Sequence, residues 1–405
     1  MIIADLHIHS RFAQGTSKDL TIQNLVKWAR IKGIDLLGTG DFTHPEWQKE
    51  LSEQLVEDET GLPKTRDGFP FMFQTEISLI YTQGGSGRRI HNVVLAPDFD
   101  TVKKITSYLL TKGRVDYDGR PIFKIPCPDF VRDLRAINER IEVIPAHIWT
   151  PWFSLFGSKS GFDTVKEAFG DQTEHIHALE TGLSSDPEMN WRLSQLDDYQ
   201  LVSFSDAHSY WPWRIGREAT IFETELTYDA IIGAMRTGEG LLKTIEVDPG
   251  YGKYHFDGHR NCNIRFTPEE SKKHEGICPV CKRPLTIGVL NRVEELADRP
   301  VGYKPENATP FFRMLPLSEL IAWVEKKAVT TKTVWNIYDK LRSLGSENDV
   351  LLRVPAEKLR SVVDEALVSA ILLNREGKIK IEPGYDGVYG KPLISGGQQG
   401  LDSFL

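Results

Sequence analysis

Cysteine is scarce in this chain: 405 residues contain four, and three of them lie between positions 262 and 281. A set so small and so clustered excludes a disulfide-stapled secreted scaffold and suits a metal knuckle in a reducing compartment, with Cys127 left over as a buried thiol. Long hydrophobic runs are missing as well. No run of about 18 apolar residues occurs, and the N-terminus enters a strand-like IIADLHI instead of a basic segment followed by an apolar one. The expectation is therefore a cytoplasmic protein with no membrane partner. No internal repeat and no coiled-coil heptad run is visible, which argues against solenoid and rod architectures.

An excess of positive charge is also lacking, since the net charge is −8, and this argues at first against nucleic acid as a partner. The average hides an asymmetry. Residues 1–250 carry 26 Lys and Arg against 37 Asp and Glu, whereas residues 251–395 carry 23 against 19. Bound dications would offset several carboxylates of the first part, so charge alone does not decide the partner.

What is present is enough apolar residue, 40% of the chain, for one large core plus one or two accessory modules. Up to about residue 247, short β-like runs (IIADLHI, IDLLGTGD, FMFQTEISLIY, RIHNVVLAP, IEVIPAH, HIHALET, YQLVSFSDAH) alternate with helical stretches at 21–32 and 129–139. That alternation predicts an α/β fold, layered or barrel-like, with mostly parallel strands. Residues 248–305 are turn-rich and bear Cys and His, residues 306–394 read as helical, and 395–405 form a Gly-rich tail.

Polar ligand types recur where the predicted strands end. Asp5, His7 and His9 sit at two-residue intervals, which in a strand places them on one side. Further along come Asp41 and His44, Glu76, His91, His147, Glu180, then Asp206 and His208. One histidine beside a strand end is more often an ordinary hydrogen-bonded residue; the recurrence is what points to a site, because loops at the carboxyl ends of strands converge. Imidazole mixed with carboxylate suits Zn²⁺, Mn²⁺ or Fe²⁺, with Mg²⁺ accepted in lesser degree.

The motifs DLHIHS, GTGDFTHP, QTEIS, the separate His91 and His147, and SFSDAHS resemble those of the PHP (polymerase and histidinol phosphatase) superfamily. The resemblance implies a distorted (β/α)7 barrel over residues 1–247 and two or three divalent metals that hydrolyse a phosphoester. It implies His7, His9, Glu76 and Asp206 around one ion, Glu76, His91 and His147 around a second, and Asp41 with His208 at a third. Asp41 stands where the superfamily has a His, and SRFAQG lacks another, so the third site is expected either to be weaker or to need a substitute such as Glu180 or His44. Glu76 and Asp206 are the expected catalytic carboxylates.

In GHRNCNIRFTPEESKKHEGICPVCKRP, His259 and Cys262 form one half and Cys278 and Cys281 the other half of a knuckle for one structural zinc. His255 and His274 are alternative ligands, and buried thiols without metal are the plainer reading. Aromatic residues follow two of the ligand motifs: Trp149, Trp152 and Phe153 after His147, and Trp211, Trp213 and Arg214 after His208. Such faces suit an unstacked base bound to the substrate-binding side of the centre, and core packing explains them equally. GGSGRRIH reads as a hairpin turn with Arg88 and Arg89 exposed.

The last residues, QQGLDSFL, look like a clamp-binding peptide in which Gln398, Leu401, Phe404 and Leu405 would dock on the sliding clamp (PCNA). Together with GVLNRVEELADRP and PGYDGVYGK, these features resemble the endonuclease Q family. That resemblance implies nicking of DNA on the 5′ side of deaminated bases (uracil, hypoxanthine, xanthine) and abasic sites, and a nucleoid-associated location. The competing expectations are a PHP phosphatase for a small phosphomonoester and an inactive DNA or clamp adaptor.

Overall fold

A computed structural model describes residues 1–393; the proposed clamp peptide lies outside the described residues. Nine strands make one sheet. Its order is Phe311–Arg313, Leu241–Glu246, Ala219–Phe222, Ile2–Asp5, Leu36–Gly38, Phe71–Gln83, Ser86–Ala96 and Glu142–Pro145, with Ile122–Phe123 paired to Phe71–Gln83. Alternation decides the packing. Ile2, Ala4, Leu36 and Met72 enter one apolar cluster with Val93, Ile144, Ala178 and Val202, closed by Tyr228, Ile231 and Met235 of the helix Tyr228–Thr237. Ile3, Leu37, Phe71, Phe73, Ile77 and Leu79 join the other, larger cluster. A sheet buried on both faces is what an α/β architecture requires.

Two expectations are corrected. Strand pairing is only half parallel: Ile2–Asp5 pairs antiparallel with Ala219–Phe222, Ala219–Phe222 with Leu241–Glu246, Phe71–Gln83 with Ser86–Ala96, and Ser86–Ala96 with Glu142–Pro145. The GGSG turn explains one of these pairs, because Gly84 and Gly85 adopt φ of 62° and 77° between Gln83 and Ser86, the geometry of a two-residue hairpin. Arg89 is exposed there, but Arg88 is half-buried, with its guanidinium over the Phe162 ring.

Nor does a continuous ladder close the sheet into a barrel among the described residues. Ala178–Glu180 and Gln200–Val202 form a separate parallel pair. At their ligand-bearing ends the chain is joined to its neighbours by backbone bonds, Ile148 N–H donating to the Glu180 carbonyl and His9 N–H to the Ala207 carbonyl, each at 3.0 Å.

The helical region contains Leu317–Val324, Lys332–Arg342, Glu347–Leu352, Ala356–Arg360 and Glu365–Arg375. Its stretch is not purely helical. Phe311–Arg313 covers Leu241–Glu246, which would otherwise be an open sheet edge, and the hairpin Lys380–Glu382 with Lys391–Leu393 brings Tyr385 back to bridge Phe256. Chain from beyond residue 306 thus completes both the main sheet and the Cys/His-bearing part.

Two carboxyl groups are buried away from the ligand series. Glu218 accepts from Ser203 Oγ at 2.8 Å and from the Val247 N–H at 3.1 Å; Glu246 accepts from Thr181 Oγ1 at 3.0 Å and Thr244 Oγ1 at 2.6 Å. Burial pushes both up, Glu218 to about 8 from an ordinary 4.5, against the lowering by its hydrogen bonds. Across that window the folded protein keeps a proton that the unfolded chain releases, so stability falls as pH rises, by at most about 1.4 kcal/mol per pH unit for one proton. Glu218→Gln is expected to flatten the decline in melting temperature between pH 5 and pH 8; an unchanged slope would mean that Glu218 is ionised in the fold.

Candidate metal centre

The centre is assembled at the ends of strands. The Ile2–Asp5 strand stops just before the motif, and its extension turns His7 and His9 inward. Asp5 does not follow them: its carboxylate accepts the Ser205 N–H at 3.0 Å, Ser205 Oγ at 2.6 Å and the Gly216 N–H at 2.8 Å. It fixes the loop that bears Asp206 instead of reaching the ligands. Glu76 and His91 come from the long hairpin, where Glu76 faces Val93 and His91 faces Ser78. His147 follows Glu142–Pro145, and Gly182 (φ +61°) passes so close that a Cβ there would meet the His147 Cβ at 2.6 Å.

Two ligand groups share one carboxylate. His7, His9, Glu76 and Asp206 bring their donor atoms together, and so do Glu76, His91 and His147. Glu76 Oε2 lies 3.2 Å from His9 Nε2 and 3.7 Å from His7 Nε2, while Oε1 lies 2.7 Å from His91 Nδ1 and 3.1 Å from His147 Nε2. Asp206 Oδ1 is 3.0 Å from His9 Nε2 and 3.6 Å from His7 Nε2. His7 Nε2 is buried and has no hydrogen-bond partner. A buried imidazole nitrogen left open between two carboxylates, beyond hydrogen-bonding reach of either, fits a divalent ion. Mixed nitrogen and oxygen donors suit zinc, manganese or iron.

The carboxylates expected at a third ion take other places. Asp41 accepts from His9 Nδ1 at 2.9 Å and from the Ser10 N–H, so it orients a ligand rather than joining His208. Glu180 accepts from His7 Nδ1 at 2.9 Å and from the His147 N–H at 2.7 Å. Such partners fix the ring orientation and tautomer of metal-binding histidines. His208 Nδ1 faces the Asp206 carbonyl at 2.9 Å, and His44 stacks on Phe12. Among the described residues, no third group of three ligands forms around Asp41, His208 or His44.

Charge and strain concentrate here. Burial raises Glu76, but His91, Arg120 and His7 together hold it well below the usual carboxylate range. Burial opposes protonation of His7 and His9, yet Glu180 and Glu76 lift His7, and Asp41 lifts His9, well above the ordinary value. Asp41, His147, Phe153 and Asp206 have φ of 41°, 31°, 62° and 47°, a region that costs a residue with a Cβ energy and clusters at functional sites. Access is one-sided: the Asp206 and His208 side chains are 29% and 35% exposed, while those of His7, His9 and Glu76 are 0%.

Arg120 escaped the sequence reading. Its guanidinium lies 3.2 Å from Glu76 Oε2 and is 25% exposed, but it sits in a loop with no motif, next to the two-residue strand Ile122–Phe123. The aromatic candidates divide. Trp149 is a core residue, packed on Phe156 and donating to Asn190, which corrects its expected role. Trp211 and Trp213 stack at 5.0 Å and pack on Trp335; Arg214 is half-buried in the same segment. Their ring faces are turned to protein. Trp152 is 39% exposed, and Phe153 lies 4.8 Å from the His91 ring.

Away from this centre, His259, Cys262, Cys278 and Cys281 bring their ligand atoms together, with Cys281 Sγ 3.5 Å from His259 Nδ1. Burial raises the Cys278 thiol, but the backbone N–H groups of Cys281 and Val280 bring it to about 7. His255 and His274 stay outside the cluster, beside Phe256 and Phe266. Four closed N/S donors fit a structural zinc.

Residues 316–378 match the family described as MJ0043 C-terminal domain. The chain is 30% identical to the uncharacterized protein YqxK of Bacillus subtilis, over 96% of this chain and 98% of that protein. It is 34% identical to the uncharacterized protein MJ0043 of Methanocaldococcus jannaschii over 69% of its own length, and spans only 34% of that relative. Among solved structures, the lesion-specific endonuclease PfuEndoQ from Pyrococcus furiosus superposes with a TM-score of 0.87 at 31% identity, covering 97% of this chain and 95% of that one. Endonuclease Q in complex with a 27-mer duplex substrate, with an abasic lesion at the active site, gives 0.86 at 32% identity, covering 97% and 96%.

Asp41→Asn is expected to weaken manganese binding about tenfold or more by releasing the His9 ring, measured by titration with paramagnetic resonance. In the unaltered protein, ions must displace protons that Glu180 and Asp41 help to hold on His7 and His9. Manganese affinity is therefore expected to rise between pH 6 and pH 8. A flat profile would contradict protonated histidines in the metal-free state.

Proposed function

The chain belongs to the endonuclease Q family, and from that premise and the geometry of the centre we propose a metal-dependent DNA repair endonuclease of the PHP superfamily. It hydrolyses the phosphodiester on the 5′ side of deaminated bases (uracil, hypoxanthine, xanthine) and of abasic sites. The observation that carries the reading is Glu76, one buried carboxylate shared by two ligand groups beside which Asp206, His208 and Arg120 are partly exposed. Held by these two ligand groups, divalent ions would supply Lewis acidity to a phosphodiester and lower the pKa of water.

The residues do the remainder. Glu76 and Asp206 set the spacing of the donor groups, while Asp41 and Glu180 hold the His9 and His7 rings in one orientation. Arg120 presents a cation beside Glu76, where the oxygens of the scissile phosphate would lie. Phe153, next to His91, and the exposed Trp152 that precedes it offer faces to the nucleoside drawn out of the duplex.

Residues 1–247 cut. The structural zinc on His259, Cys262, Cys278 and Cys281 stabilises the module at 248–305, whose Arg260, Arg265, Lys272 and Lys273 join the helical region 306–394 in gripping the DNA backbone. The tail with Gln398, Leu401, Phe404 and Leu405 tethers the enzyme to the sliding clamp, a reading that rests on sequence alone.

A labelled duplex with one deoxyuridine tests this, with and without chelator, beside a small phosphomonoester. Nicking 5′ to the uracil is expected, lost with chelator and in Glu76→Gln and Asp206→Asn, and reduced about 100-fold in Arg120→Gln. Turnover of the monoester alone would replace the reading with a phosphatase, and nicking that survives Glu76→Gln would show the centre to be misplaced.

A further inference from the structure

One ion pair is enclosed between the helix Ile22–Lys32 and the C-terminal helices. Lys32 Nζ donates to Glu347 Oε1 at 2.6 Å, and the two side chains are 2% and 0% exposed. Glu347 also accepts the Leu317 N–H at 2.9 Å and the Tyr338 hydroxyl at 2.7 Å. Burying such a pair costs several kcal/mol of desolvation per ion and contributes little net stability against an apolar replacement. Its remaining contact is therefore informative: Lys32 Nζ donates at 2.8 Å to the carbonyl of Pro212.

Pro212 belongs to the segment that carries Asp206 and His208. That segment is tied at Ser205 and Gly216 by Asp5, and at His208 by the Ser17 N–H at 3.0 Å. Among the described residues, Lys32 makes the sole side-chain hydrogen bond to the backbone of 209–215. On either side of Pro212, Trp211 and Trp213 pack on Trp335 at 5.6 and 5.7 Å, and Trp335 shares the helix Lys332–Arg342 with Tyr338. Trp28, one helical turn before Lys32, lies 5.3 Å from Trp211. Ionic and aromatic contacts thus clasp one loop from the helix Ile22–Lys32 and from the C-terminal helices Lys332–Arg342 and Glu347–Leu352.

We propose that Lys32, Glu347 and Tyr338 are positioning residues: through Pro212 they set the loop bearing Asp206 and His208, so that the helices of residues 316–378 complete the metal centre and do not merely add surface for DNA. The proposal rests on the metal centre described above. Glu347 touches no reacting group; it acts through Lys32 and the loop.

The test is the double variant Lys32→Met with Glu347→Met in the full chain, which removes both charges and keeps apolar volume. A purely structural pair predicts that it folds with kcat, KM and manganese affinity unchanged. Positioning predicts a folded protein with kcat on the uracil duplex down about tenfold or more, KM within twofold, manganese affinity down about tenfold, and an altered near-ultraviolet dichroism of the tryptophan cluster.

A folded double variant with wild-type kcat and manganese affinity overturns the proposal. Should the double variant not fold, Tyr338→Phe, which removes one donor to Glu347 and leaves the charges, is read in the same way with smaller expected losses. If the wild-type protein itself does not nick the duplex, the functional reading fails on that arm alone, and the manganese and dichroism measurements still decide whether the clasp sets the loop.

Discussion

A carboxylate with no exposed atom can stay ionised only if the protein surrounds it with compensating charge, and Glu76 sets that demand for the whole molecule. Its two oxygens face four imidazoles and a guanidinium delivered by separate segments: 7–9, 91, 147 and the loop before Ile122. The His9 and His7 rings have anchors of their own in Asp41 and Glu180, which are also buried and spent on ring nitrogens. In water this arrangement would collapse into solvated ions. In a buried site the charges must be shared with cations, and the same requirement makes the place a receptacle for metal.

The scaffold meets the demand by separating two tasks. Apolar residues on one face of the sheet fill its interior beneath the centre, so the ligands stand on a packed floor. Above it, polar side chains tie loops to one another: Asp5 joins the Ser205 and Gly216 segments, and Gln74 Oε1 accepts from Ile8 and Gly40 N–H groups. The backbone at Asp41, His147 and Asp206 is left in costly conformations that those ties sustain. Rigidity is thus concentrated where ligand spacing must be kept.

The parts beyond residue 248 are fastened rather than tethered. Arg292 of the helix Val289–Leu296 donates to the Phe156 carbonyl at 3.1 Å and pairs with Asp163, reaching the loop that follows His147. Arg313 pairs with Asp186 and Glu188. The C-terminal helices reach the opposite loop, after His208, through Lys32 and the tryptophans. Both loops that rim the opening therefore lean on chain from beyond residue 248.

Local chemistry made much of this readable from the sequence. A two-residue period aimed His7 and His9 the same way, the helical stretch read at 21–32 formed as Ile22–Lys32, two adjacent glycines spelled a hairpin, and paired HxxC and CxxC spacings brought four donors together. Each of these depends on neighbours a few residues away, which is the range over which backbone geometry is dictated by sequence. Contacts between distant segments were not readable. Asp5 left its expected face because the strand ends there and three donors from 205 and 216 claim it; Asp41 and Glu180 became supports because His9 and His7 each had one nitrogen to spare; Trp149 sank into the core; Arg120 arrived from a loop without a motif. The sequence alone determined which residue types could bind a metal, and roughly at which strand ends. Only tertiary structure decided which of them face the ion and which hold the others in place, because that choice is settled by who competes for each buried hydrogen bond.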